Sequence, residues 1–260
     1  MTLGDDLLPA TRSALEILLL AMADDEFVIG FSDSEWTGIA PLLEEDVAMS
    51  SLAQDELGHA RALYELLASV VDDGRSADAI AYDRPSEGYY HARLLDHERG
   101  DWATAIARRY LYETADATRL EALAGSSFVP LRDLVAKIRR EERYHLMHAE
   151  AWLERLAGAE GEPRERLLGA WDRLAPDAAT VLAPLPGELS LEMSGIADAS
   201  SAILDARWRA AIAPMLERLE LPSPPPATDA TAGRTAHSDA FGALWAEFTA
   251  VRASEPGATW

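Results

Sequence analysis

The sequence predicts an all-α chain: a four-helix bundle with one long crossover and extra C-terminal helices. Three observations predict it. Apolar residues recur at alternating steps of three and four over four long stretches, and glycines and prolines punctuate the gaps between them. The span from Asp72 to Asp101 carries no sustained helical seam, yet it is long enough to run from one end of a bundle to the other. The 260 residues are expected to form a single domain, with the core bundle over about 11–157 and a helical extension over about 164–260.

The first helix is expected from about Thr11 to Phe31, with Leu15, Leu19, Met22, Glu26 and Ile29 along its inward stripe. Ser32 to Gly38 reads as a turn, and Pro41 suits the start of a second helix that Asp72-Asp73-Gly74 stops. Its seam is Met49, Leu52, Glu56, His59, Leu63, Leu66 and Val70. Asp101-Trp102 opens a third helix with Ile106, Tyr110, Glu113, Ala117 and Leu120 in line, ending near Gly125. Pro130 opens a fourth, whose seam is Leu131, Val135, Ile138, Glu142, His145, Ala149, Trp152 and Leu156, and which ends between Gly158 and Pro163. A fifth helix is expected from Arg164 to about Arg173, and a sixth from Ser200 to about Leu219, kinked at Pro214. Pro222 to Pro226 forbids helix. A last amphipathic helix then places Phe241, Leu244, Trp245 and Phe248 on one side, a stripe that more often docks on its own bundle than on a partner, with both open on the sequence.

Polar residues interrupt those seams in a repeating way. The second and fourth helices each carry Glu-x-x-His, as Glu56-Leu57-Gly58-His59 and Glu142-Arg143-Tyr144-His145, one turn apart on the inward face. The first and third helices each carry one inward carboxylate, Glu26 and Glu113. Glu26 precedes Glu56 by 30 positions and Glu113 precedes Glu142 by 29, so the bundle reads as two similar halves. Buried unpaired charge is costly. A plain explanation is that each inward Glu pairs with an arginine such as Arg109 or Arg140 and that the histidines are satisfied core residues. That explanation handles badly the fall of all six groups on apolar seams with a two-fold repeat. Four carboxylates and two imidazoles so arranged are the ligand set of ferritin-like di-iron or di-manganese bundles, whose topology also has one long crossover between two helical hairpins. Glu56 and Glu142 would bridge two ions, His59 and His145 would each bind one, and Glu26 and Glu113 would be terminal ligands. Oxygen and imidazole donors suit two iron ions, or manganese, and the lack of thiolate argues against iron–sulfur chemistry. No catalytic side chain is assignable from the sequence. His148, three residues after His145, is expected at the surface or in the core.

Composition removes other classes. The net charge of −22 repels nucleic acid and anionic membranes, and an anionic substrate would need a local arginine patch; Lys137 is the only lysine. With no cysteine there is no disulfide, catalytic thiol or zinc-thiolate site. The acidic N-terminus lacks the basic region of a signal peptide, and Ile17 to Ala23 is too short to span a bilayer, so a cytoplasmic protein is expected. Phosphate-cradling glycine loops, dinucleotide fingerprints and serine-nucleophile motifs do not occur.

Several short pieces share a further resemblance. They are Ser34-Glu35-Trp36-Thr37-Gly38, Gln54-Asp55-Glu56-Leu57-Gly58-His59-Ala60-Arg61, Thr104-Ala105-Ile106-Ala107-Arg108-Arg109-Tyr110 and Arg143-Tyr144-His145-Leu146. Trp152-Leu153-Glu154-Arg155-Leu156, the stretch Gly233 to His237 and the end Pro256-Gly257-Ala258-Thr259-Trp260 continue the series. In order, along almost the whole chain, they resemble the C-subunit family of the phenylacetyl-CoA epoxygenase complex. The resemblance implies a ferritin-like bundle within a multicomponent monooxygenase of aerobic phenylacetate degradation. It also implies a homologous A subunit that holds the di-iron centre and binds the CoA thioester, with the C-type chain as its structural partner and a flavin and iron–sulfur reductase supplying electrons. C-type chains are expected to have lost ligands, whereas Glu26, Glu56, His59, Glu113, Glu142 and His145 match the intact set. Three readings remain open on the sequence: a C-type subunit in a hetero-oligomer with an A-type homologue, a self-sufficient di-iron oxygenase subunit, and a metal-free helical interaction protein. Homo-oligomers and direct contact with an acyl-CoA substrate stay open with them.

Overall fold

The computed structural model describes residues 3, 4, 6–226 and 232–255; the Pro256 to Trp260 motif lies outside them. Every regular element among the described residues is helical. Two antiparallel hairpins make the bundle: α1 (Pro9–Ser34) with α2 (Leu43–Val71), and α4 (Trp102–Leu123) with α5 (Val129–Ala157). The second helix begins at Leu43, two residues past Pro41, and a left-handed Asp72 (φ 48°) closes it. Asp101 caps α4 by accepting from the Thr104 N–H at 2.9 Å.

The crossover between the hairpins is more structured than its sequence pattern suggests. It contains the short helix α3 (Ala77–Tyr82), capped by Ser76, and 3-10 turns over Ser86–Gly88 and Arg93–Asp96. After the bundle come α6 (Glu162–Ala178), α7 (Glu188–Met193), α8 (Ser201–Leu219) and α9 (Asp239–Ser254). The expected end of α6 near Arg173 is too early. Pro176 sits in the final turn, where few further backbone bonds are lost, and the helix runs to Ala178. Pro214 likewise lies inside a continuous α8.

These added helices explain why α1 is buried on every face over 21–30 and α4 over 103–116. α6 and α8 lie on α4, α7 and α9 lie on α1, and Trp208 of α8 donates to Thr114 Oγ1 of α4 at 2.9 Å. The stripe of α9 docks on its own bundle as its pattern suggests: Phe248 packs edge-on against Phe27 and Tyr89, and Phe241 against Tyr89. A helix enclosed on every side must bury its polar residues too, so α1 carries Asp24, Asp25 and Glu26 into the interior in succession. No described helix is long and apolar enough to cross a membrane.

Candidate metal centre

All six seam-interrupting residues meet at the centre of the bundle. Glu26 comes from α1, Glu56 and His59 from α2, Glu113 from α4, and Glu142 and His145 from α5, each no more than 5% exposed. Glycine helps to bring the helices together here. A Cβ at Gly30 would lie 3.0 Å from Leu57 Cγ and 3.1 Å from Glu56 Cβ, so its absence allows α1 to approach α2 beside Glu56.

The two imidazoles face one another with ring centroids 6.1 Å apart, and each turns Nδ1 inward. His59 Nδ1 lies 3.1 Å from Glu142, 3.4 Å from Glu26 and 3.8 Å from Glu56. His145 Nδ1 lies 3.2 Å from Glu56 and 3.3 Å from Glu142. The outward nitrogens have partners in a reciprocal pattern. His59 Nε2 donates to Glu141 at 2.8 Å, and His145 Nε2 donates to Asp55 at 3.4 Å. Each helix thus supplies Glu-x-x-His together with a preceding carboxylate that orients the histidine of the other helix, which fixes the tautomer that leaves Nδ1 inward.

The donors form two groups, Glu26–Glu56–His59–Glu142 and Glu56–Glu113–Glu142–His145, each within 4.8 Å. Glu56 and Glu142 belong to both. Each of the six residues leaves one buried atom without a hydrogen bond: Glu26 Oε2, Glu56 Oε2, His59 Nδ1, Glu113 Oε2, Glu142 Oε1 and His145 Nδ1. Several of these approach one another closely but lack hydrogen-bond direction. Six orphaned oxygen and nitrogen donors around one point fit a cation and fit a satisfied core poorly.

Without a cation, protons balance the charge. Burial, reinforced by the neighbouring Glu56, raises Glu26 well above the usual carboxylate range. Burial, reinforced by Glu142 and Glu56, raises Glu113 against the pull of Arg109. Burial opposes ionisation of Glu56 and Glu142 as well, and Glu56 repels Glu142, but the close approach of the neighbouring imidazoles and carboxyls wins, holding Glu56 well below its ordinary value and Glu142 at about 2. Burial disfavours charge on the histidines, yet the surrounding carboxylates raise His145 to about 10 and His59 well above its ordinary value.

The family model described as phenylacetic acid catabolic protein matches residues 3–260. The chain belongs to that family. It is also similar to the C component of the 1,2-phenylacetyl-CoA epoxidase of Escherichia coli (strain K12), with 27% identity over 242 residues, 93% of this chain and 97% of the relative.

Around the six groups, this family member has supporting residues that the seams did not reveal. Tyr112 donates to Glu26 Oε1 at 2.9 Å, leaving Oε2 toward the centre. Asp33, which the sequence places in a turn, lies in the last turn of α1 and pairs with both Arg108 and Arg109. Arg109 also bonds Glu56 at 2.9 Å and pairs with Glu113, so the arginine explanation holds for one side of the cluster. It fails for Arg140, whose Nε donates to its own helix at Ala136. His148 takes no part; it pairs with Glu45 at 2.6 Å and ties α5 to the start of α2.

Proposed function

We propose that the chain is a C-type subunit of a multicomponent phenylacetyl-CoA ring 1,2-epoxygenase, partnering a homologous catalytic A-type subunit in the cytoplasm. The observation that carries this reading is the end-to-end similarity to the C component of a named epoxidase, within a family match that spans the chain. Substrate and reductase would engage the complex rather than this chain alone. The test is co-expression with an A-type homologue followed by size-exclusion chromatography with light scattering. Co-elution as a stable hetero-oligomer is expected; a monomer that ignores the A-type chain overturns the reading.

The six central residues are the proposed metal ligands, and their orphaned donor atoms support that assignment. Iron bound there would supply redox and Lewis-acid chemistry in a site closed to bulk water. This chain's own residues prepare the site. Glu141 and Asp55 hold the histidine rings with Nδ1 inward, and Tyr112 fixes one oxygen of Glu26. Glu26 and Glu113, raised by burial, hold protons that a cation displaces, as do His59 and His145. Metal uptake is therefore expected to release protons and to tighten as pH rises.

A further inference from the structure

The two halves of the cage match in their ligands and differ in their neighbours. The repeat aligns Glu26 with Glu113, Glu56 with Glu142 and His59 with His145. One turn before the terminal glutamate, the first half has Met22 and the second has Arg109, and both are fully buried. Arg109 places its guanidinium on Glu56 at 2.9 Å and on Glu113. Among the described residues, Glu26, His59 and Glu142 have no arginine or lysine in their ion pairs. The polar contact of Glu26 there is a neutral phenol.

We propose that Arg109 makes the cage a one-ion site: Glu26, Glu56, His59 and Glu142 hold a divalent transition-metal ion tightly, and Arg109 takes the charge-balancing place of the second ion. This rests on the reading of the six residues as ligands. A guanidinium does not give up its charge in a protein. Nor does Asp33 cancel it, because Arg108 draws on the same carboxylate. The side chain is fully enclosed and pinned by three carboxylates on α1, α2 and α4, so it has no exposed position to retreat to. A divalent ion at Glu113 and His145 would sit beside this fixed positive charge at low effective dielectric. Its affinity is expected to be at least ~100-fold weaker than at the first position.

The test is anaerobic titration of the metal-free, full-length protein with Fe(II) or Mn(II), read by calorimetric stoichiometry. The electron paramagnetic resonance of the Mn(II) form provides a second readout. One tight equivalent and a mononuclear Mn(II) signal are expected. Glu26→Gln should weaken tight binding at least ~100-fold more than Glu113→Gln does. Arg109→Met, which copies Met22, should admit a second ion and give a spin-coupled pair. If that variant does not fold, the comparison of the two glutamate variants still decides. Two equivalents of equal affinity in the wild type, or equal losses in Glu26→Gln and Glu113→Gln, overturn the proposal while leaving the ligand reading intact. No binding of either metal overturns both.

Discussion

Asp25 and Glu26 are neighbours on α1, both buried, and their surroundings could hardly differ more. Asp25 accepts from Arg119 at 2.6 Å, from both terminal nitrogens of Arg234 at 3.1 and 3.0 Å, and from the Ala92 N–H at 2.7 Å. Burial opposes its charge, but the two arginines more than offset this and lower its pKa. Asp24 is similarly served by Arg84, Tyr64 and the Tyr90 N–H. Glu26 has one phenol and one orphaned oxygen. The contrast separates two uses of a buried acid. A carboxylate given its full complement of donors ties parts of the fold together, and one left short of donors keeps an oxygen for the cation that we propose there. Arg234 illustrates the first use. It also donates to Tyr90 O and Val181 O, so Asp25 joins α1, the crossover, the segment after α6 and the C-terminal tail at one point.

The largest effect is expected from breaking the compensated side. Asp25→Ala strands the Arg234 guanidinium in the interior and leaves Arg119 with Asp116 alone, and losing one partner of a buried ionic network costs about 3–5 kcal/mol. Urea unfolding of the metal-free protein measures this directly. A loss below about 1 kcal/mol would show that Asp25 is not the joint described here.

The reserved side should respond the other way. Glu26 has a raised pKa, so Glu26→Gln swaps a carboxyl that already favours its neutral form for an amide of similar shape. Metal-free stability should then stay within about 0.5 kcal/mol of wild type. Wild type is expected to gain about 2.7 kcal/mol with metal at a hundred times its dissociation constant, and Glu26→Gln should lose that gain. Glu56→Gln sharpens the comparison. Glu56 is held ionised against Arg109 and His145, so its amide should destabilise the metal-free protein where the Glu26 amide does not. Thermal scans of the two variants, with and without Mn(II), give both answers, and equal metal-free melting temperatures would remove the distinction between the carboxylates.

What the sequence made legible follows from this contrast. Seams reveal residues that interrupt an inward stripe, so Glu26, Glu56, His59, Glu113, Glu142 and His145 could be read before any coordinates, as could the docking stripe of α9. Asp24, Asp25 and Asp33 could not, because a single-stripe reading assumes that the rest of the helix faces solvent. On α1 those other faces are covered by α7, α9 and the crossover. The partners were hidden for a second reason. Arg119 and Arg234 lie 94 and 209 positions from Asp25, and no local spacing announces such pairings. The crossover escaped because α3 is only 6 residues long, too short to establish a period.

The smallest expected effect tests whether the tail joint depends on protonation as well as on charge pairing. Beside Arg234, the His91 and His237 rings stack at 4.4 Å, with Asp96 Oδ1 3.0 Å from His91 Nε2 and 3.6 Å from His237 Nδ1. His237 Nε2 donates to Tyr89 O at 2.9 Å, and Asp96 accepts from the Ser238 N–H at the start of α9. Because a carbonyl only accepts, neutral His237 would turn a bare Nδ1 toward a carboxylate, whereas the protonated ring satisfies both. Burial works against that proton, but Asp96 and the Tyr89 carbonyl raise the pKa of His237 overall. A raised pKa means that the contribution is fully present below the unfolded value near 6.5 and is lost as pH climbs through the higher folded value. Burial lowers His91, so its contribution has the opposite sign: present above about 6.5 and lost as pH falls through the lower folded value. Raising the pH above 6.5 should therefore loosen α9 through His237 alone, by no more than about 1 kcal/mol at this partly open site. Amide hydrogen-exchange protection, corrected for intrinsic rates, should fall across 239–254 between about pH 6.5 and 9 while α8 stays constant. His237→Gln should flatten that dependence. If protection of α9 is unchanged over this range, or falls equally in the variant, the joint is held by Arg234 and Asp25 and by packing, and the histidine pair contributes nothing to it.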